Sequence, residues 1–183
     1  MLLPRSNDPL TGLPARQSFL LGLEQAVALA HGRNQPLCVL VIHAGAPPGV
    51  AGVAPMPAAV PKIGKLLQFA NGRRGELARL DTLCFALLLR DRELSAAHAL
   101  ALELIGAIAL HYGSARGVPY VSVGAAGSPA HARWGGRDLL ELALWRCVRA
   151  ARAGTNQVCS TGVDAGRACN GWPSLPAGIS PGL

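Results

Sequence analysis

Aromatic side chains are scarce in this chain: three Trp, three Phe and two Tyr among 183 residues. Acidic residues are few as well, ten against seventeen Lys and Arg, which leaves a formal charge of +7. Such a surplus suits nucleic acid or an acidic partner. No Lys/Arg run is interleaved with aromatics, however, so no single-strand binding groove is written here and nucleic acid is not the expected partner. Paired cysteines are missing too. Cys38, Cys84, Cys147, Cys159 and Cys169 are odd in number and none is spaced as Cys-x-x-Cys, so reduced thiols are the simplest reading. Half of the residues are apolar, yet no uninterrupted apolar run is long enough to span a bilayer. Met1-Leu2-Leu3-Pro4-Arg5-Ser6-Asn7 is too short and too polar an opening for a secretory signal. A cytoplasmic location without membrane contact is the expectation.

What is present is one domain's worth of alternating helix and strand pattern. Residues 18–30 carry Leu20, Leu23, Val27 and Ala30 at helical spacing, with Gly32 to end the helix. The continuous apolar run 37–42, rich in Val and Ile, predicts a buried central strand. Residues 44–61 hold Gly, Pro, Ala and Val with almost no polar side chain, and their prolines forbid a regular helix. A long loop is expected there, either an exposed apolar binding surface or a segment collapsed into a cleft. A short helix follows over 62–70, stopped by Asn71-Gly72. Strands 77–80 and 84–89 form a hairpin turning at Asp81-Thr82-Leu83. Ser95 is the expected N-cap of a helix over 96–110 whose core face holds Leu100, Leu104 and Ile108. A strand at 118–125, a helix at 137–153 closed by Gly154 and a short strand at 156–159 complete the order. This order predicts an α/β sandwich with a mixed sheet. Beyond residue 159 Gly, Pro, Ser and Ala dominate and periodicity is lost. A folded domain over 1–159 and a disordered tail over 160–183 are expected.

Four short stretches carry a family resemblance. They are Asp8-Pro9-Leu10-Thr11-Gly12-Leu13; Ala78-Arg79-Leu80 followed by Phe85-Ala86-Leu87-Leu88; Ser122-Val123-Gly124; and Ala150-Ala151-Arg152-Ala153-Gly154-Thr155-Asn156-Gln157-Val158. In this order and spacing the chain resembles the GGDEF domains, the diguanylate cyclases. The resemblance implies a mixed five-stranded sheet flanked by helices, related to the palm of nucleotide polymerases and cyclases. It also implies the condensation of two GTP molecules into cyclic di-GMP, with Mg²⁺ ions held by carboxylates.

The residues at the family's working positions differ. His43 and Gly45 stand where the first metal aspartate and its companion belong, and residues 46–61, where guanine is recognised, contain neither Asn nor Asp. Asp81 and Thr82 replace the paired glycines, and Leu83 and Cys84 replace the acidic pair. Ala151 and Thr155 occupy the places of the phosphate-binding lysine and its arginine. The inhibitory Arg-x-x-Asp falls on Gly72 and Gly75; Arg73-Arg74-Gly75-Glu76 offers only an Arg-x-x-Glu one residue out of register. Losing the metal ligands, the guanine contacts and the triphosphate cations together removes every term that would stabilise the transition state. The resemblance therefore implies a non-enzymatic, cofactor-free domain that acts through protein contacts in bacterial cyclic di-GMP signalling. GGDEF, EAL, HD-GYP or PilZ proteins, or a second copy of the chain, are the partners it suggests. The alternative is a receptor that binds GTP or cyclic di-GMP without turnover.

His43, Cys84 and nearby Asp81 could be imagined as a transition-metal site. Third and fourth ligands cannot be named, so His43 and Cys84 are expected to pack as small, partly buried residues, with no metal. Helix 137–153 has an apolar face of Leu140, Ala143, Leu144, Cys147 and Ala151. Trp145 falls among Asp138, Glu141, Arg149 and Arg152. It is either an interface anchor or a ring lying flat over a neighbouring loop, against Trp134. His31, His98, His111 and His131 have no spaced partner and read as surface residues.

Overall fold

A computed structural model describes residues 6–45, 59–112, 120–130, 134–154 and 156–161. The elements are α1 (Arg16–Arg33), β1 (Leu37–Gly45), α2 (Val60–Asn71), β2 (Glu76–Asp81), β3 (Cys84–Arg90), α3 (Leu94–Tyr112), β4 (Tyr120–Ser128), α4 (Gly136–Ala153) and β5 (Gln157–Cys159). The strands form one mixed sheet in the order β2-β3-β1-β4-β5, antiparallel except for the parallel pair β4 and β5. This is the predicted α/β sandwich.

Every residue of β1 is buried because both faces of the sheet are covered. Leu40, Ile42, Phe85, Leu87 and Val123 point into a core closed by α2 and α3. Val39, Val41, Ala86, Leu88 and Ala126 point the other way, into a core closed by α1 and α4. By length and composition α3 is the one described helix that could cross a membrane. Here it lies on the sheet, with Ala97, Leu100, Ala101, Leu104, Ile105 and Ile108 buried.

Helix α4 lies very close to the sheet at Gly124. A Cβ on Gly124 would sit 2.0 Å from the Ala143 carbonyl oxygen and 2.2 Å from the Cys147 nitrogen. The Ser122-Val123-Gly124 stretch is therefore a packing motif in which only glycine lets the helix descend.

Several boundaries differ from expectation. Gly32 does not end α1. The helix runs to Arg33 and closes on Asn34, whose left-handed φ of 52° lets its N–H donate to the Ala30 and His31 carbonyls. Pro61 does not precede α2 but sits in its first turn, where its missing N–H would be unpaired in any case. Ser95 is not a cap: α3 already begins at Leu94, and the Ala97 N–H donates to the Glu93 carbonyl. Strand β4 continues to Ser128, beyond the predicted end at 125. Of the predicted 44–61 loop, Ala44 and Gly45 finish β1, Ala59 precedes α2, Val60 and Pro61 open it, and 46–58 lie outside the described residues. So do His131 and the segment 162–183.

Candidate functional site

The N-terminal loop meets the β2–β3 hairpin through an ion pair and through the Arg79 N–H, which donates to the Pro14 carbonyl at 3.0 Å. The Thr11 N–H and hydroxyl donate to one Asp8 carboxylate oxygen at 2.8 and 2.7 Å. Arg79 Nη1 donates to the other at 2.5 Å. Burial pushes the Asp8 carboxyl up, but the Thr11 hydrogen bonds and the Arg79 guanidinium outweigh it and hold it below its ordinary value. The same guanidinium donates to the Asp81 carbonyl at 3.0 Å and to the Thr82 carbonyl at 3.3 Å. Arg79 thus fixes the N-terminal loop and the hairpin turn together.

Within the turn, the Thr82 N–H donates to the Asp81 carboxylate at 2.7 Å, and Thr82 is exposed. Leu83 is buried and joins the apolar core under α2 and α3, while its carbonyl accepts the Ala44 N–H at 2.9 Å. Cys84, the next residue, is buried on the opposite face under α1 and α4. His43 pairs in register with Cys84 on one side and Ser122 on the other. Only 7% of His43 is exposed, and burial lowers its pKa although the Asp81 charge acts the other way. Its ring folds over Gly45: a Cβ there would lie 2.6 Å from the imidazole Cε1. Burial pushes the Cys84 thiol well above its ordinary value and the Cys147 thiol to about 12. The Cys147 thiol donates to the Ser122 carbonyl at 3.2 Å. Among the described residues no three His, Cys, Asp or Glu side chains gather closely enough to hold a metal ion. Ala151 is buried on α4, and Thr155 lies outside the described residues.

At the far end of the hairpin, Gly72 adopts a left-handed φ of 60° after α2. Arg74 pairs with Glu103 at 2.5 Å and also donates to the Ala70 carbonyl. Glu76 pairs with Arg90 at 2.8 Å. On α4, Trp145 is half-buried and Arg149 stacks over its ring at 4.9 Å, while Arg149 and Arg152 sit on the exposed side. The apolar face is wider than the sequence suggests. Leu139, Val148 and Ala150 are buried, whereas Leu144 is half-buried. Arg146, which sequence reasoning missed, is also buried and donates from Nη1 to the Ala125 carbonyl at 2.7 Å.

Solved structures share this architecture. The FimX GGDEF domain from Pseudomonas aeruginosa superposes with a TM-score of 0.71 at 26% identity, over 84% of this chain and 98% of that one. The coiled coil and GGDEF domain of DgcB from Caulobacter crescentus, in complex with c-di-GMP, superposes at 0.73 with 19% identity, over 85% of each chain. The diguanylate cyclase SiaD from Pseudomonas aeruginosa, in complex with its activator SiaC, superposes at 0.67 with 16% identity, over 85% of this chain and 61% of that one. No family model matches the sequence, and no curated protein matches it. The chain has the GGDEF domain fold.

The Mg²⁺ ions that this likeness implies do not fit the residues present. Mg²⁺ demands hard oxygen ligands in near-octahedral array. The hairpin offers a leucine inside an apolar core and a protonated buried thiol, and the end of β1 offers a buried imidazole.

Proposed function

We propose that this chain is a non-catalytic GGDEF-fold domain that works through protein contacts in cyclic di-GMP signalling. The burial of Leu83 in the α2–α3 core carries the reading. The position expected to present a metal-binding carboxylate is instead part of the folding core. Asp81 does not rescue it, because its charge beside the turn would repel the phosphate that needs backbone access there. Arg74 and Glu76, the nearest groups to an inhibitory cyclic di-GMP site, are each held by another side chain.

Protein contact is the activity left to such a domain. A partner of the GGDEF, EAL, HD-GYP or PilZ kind, or a second copy, would meet the α4 surface of Trp145, Arg149 and Arg152. Trp145 offers apolar area, and the arginines suit an acidic partner. The domain would act in the cytoplasm, where that network operates. SiaD, which shares this fold over part of its length, forms a complex with the activator SiaC.

The deciding experiment incubates the chain with GTP and Mg²⁺ or Mn²⁺ and separates the products by chromatography. No cyclic di-GMP is expected, and product that scales with protein would overturn the reading. Calorimetry with cyclic di-GMP should give no micromolar isotherm. Such an isotherm would place a receptor function first.

A further inference from the structure

Helices α2 and α3 cover one side of the sheet as a packed pair. Lys62 Nζ of α2 lies 5.2 Å from the centre of the Tyr112 ring of α3, and Arg74, just after α2, pairs with Glu103 of α3. The outward side of this layer is both apolar and basic. On α2, Lys62, Lys65 and Phe69 recur at helical spacing and all three are exposed, Phe69 by 89%. On α3, Leu102 and Leu110 lie two turns apart, opposite the buried Ala97, Leu104 and Ile108. They are 52% and 87% exposed, and a Cβ on Gly106 between them would meet nothing within 4 Å.

The positive charge of the layer is not balanced within it. Lys62 and Lys65 are the only lysines of the chain, and Arg73 follows in the exposed turn after α2. Helix α2 has no Asp or Glu. Helix α3 has one, Glu103, and Arg74 pairs with it. Asp91 and Glu93, ahead of α3, alternate with Arg90 and Arg92.

Side chains as bare as Phe69 and Leu110 stand proud of the surface and line no groove. A lipid surface takes up protruding apolar side chains without a matching pocket, whereas a protein partner would need a cavity for each. Anionic headgroups suit the lysines beside them, whose stems lie along apolar surface while the ammonium reaches outward. The lack of a long apolar run in the sequence bears on crossing a bilayer, not on lying against one.

We propose that the outer side of the α2–α3 pair rests on an anionic lipid surface. Phe69, Leu102 and Leu110 enter the headgroup layer, and Lys62, Lys65 and Arg73 meet its charge. Helix α4 lies across the sheet, so this contact leaves it open to a protein partner.

The test sediments the full chain with vesicles of phosphatidylcholine alone, or of phosphatidylcholine and phosphatidylglycerol in equal parts. Binding is expected to the second only, and should weaken several-fold in about 0.5 M salt. The whole chain is positive, so general charge must be separated from this face. Phe69→Ser with Leu110→Ser keeps the charge and should lower partitioning by about ten-fold or more. Lys62→Gln with Lys65→Gln should do the same. Arg33→Gln with Arg137→Gln removes equal charge from exposed positions on the α1–α4 side and should lower it by less than about two-fold. In the parent chain, acylation of Lys62 and Lys65 by a water-soluble amine reagent, read by mass spectrometry, should slow several-fold on the anionic vesicles. That measurement needs no substitution and decides the matter if a variant fails to fold. No binding to anionic vesicles, or unchanged acylation of both lysines, overturns the proposal. So does an equal loss from the lysine and arginine pairs with none from Phe69 and Leu110. Retention on immobilised polyglutamate through the same residues, without vesicle binding, also overturns it and assigns the face to an acidic protein.

Discussion

At the scale of single residues, the imidazole beside the hairpin faces inward. His43 illustrates the consequence for stability. Its folded pKa lies below the ordinary 6.5 because burial penalises the imidazolium. Between the folded and unfolded values the unfolded chain binds more protons, so stability rises with pH through that window and is complete above about 6.5. Stability measured by urea unfolding should therefore fall as the pH drops from 6.5 towards 5. His43→Gln should flatten that slope, and an unchanged slope would mean that His43 is not its source. Asp8 acts in a lower window. Its folded carboxyl lies below 3.8, so its contribution is full above that value and disappears as acid protonates it in the folded state. That His43, Leu83 and Cys84 are not carboxylates was legible in the sequence. The burial of Leu83 was not, because a two-residue turn has no periodicity from which to read a face. Arg146 was missed for a related reason: an arginine reads as solvent-facing until packing takes its guanidinium to the Ala125 carbonyl.

At the scale of elements, α4 is the most exposed to test. Gly124→Val would drive a side chain into the backbone of α4. The cost should be at least about 3 kcal/mol, seen as a lower melting temperature or loss of folding. A stable variant would mean that α4 can lift from β4 freely. The outer side of the same helix should behave differently. Trp145→Ala with Arg149→Ala should weaken capture of a partner by about 2 kcal/mol or more. Its melting temperature should change little, since Arg149 is exposed and Trp145 only half-buried. If this variant unfolds, the ring is part of the core; if it folds and captures normally, the contact lies elsewhere. The elements themselves were legible wherever an apolar run met a clear stop, as in β3. Ends were less so. Asn34 rather than Gly32 closes α1, and α3 starts ahead of Ser95, because a cap is chosen by backbone geometry that neighbouring candidates offer almost equally.

At the scale of the whole molecule, the loss of catalysis proposed above is one that a local repair of the hairpin should not reverse. The chain with Asp81→Gly, Thr82→Gly, Leu83→Asp and Cys84→Glu would regain the family's hairpin letters. It should still produce no cyclic di-GMP from GTP by chromatography, because His43 and Gly45 supply no second carboxylate and residues 46–61 contain no Asn or Asp. It should also be less stable than the parent, since two residues from the two sides of the core would become charged. Measurable product would show that the hairpin alone had been limiting.

The bond network around Arg79 gives the molecule a mechanical property. The stretch before α1 is stitched by Ala15 N–H to the Ser6 carbonyl and by Asp8 to Arg79, and Arg79 also grips the Asp81 and Thr82 carbonyls. Tension applied at residue 6 therefore loads the tip of the hairpin through the Arg79 guanidinium and the first turn of α1 through Ser18, whose hydroxyl donates to the Ser6 carbonyl. A body fused ahead of this point would pull on the start of α1 and the tip of the hairpin together, with Arg79 the side chain that carries the load to the tip.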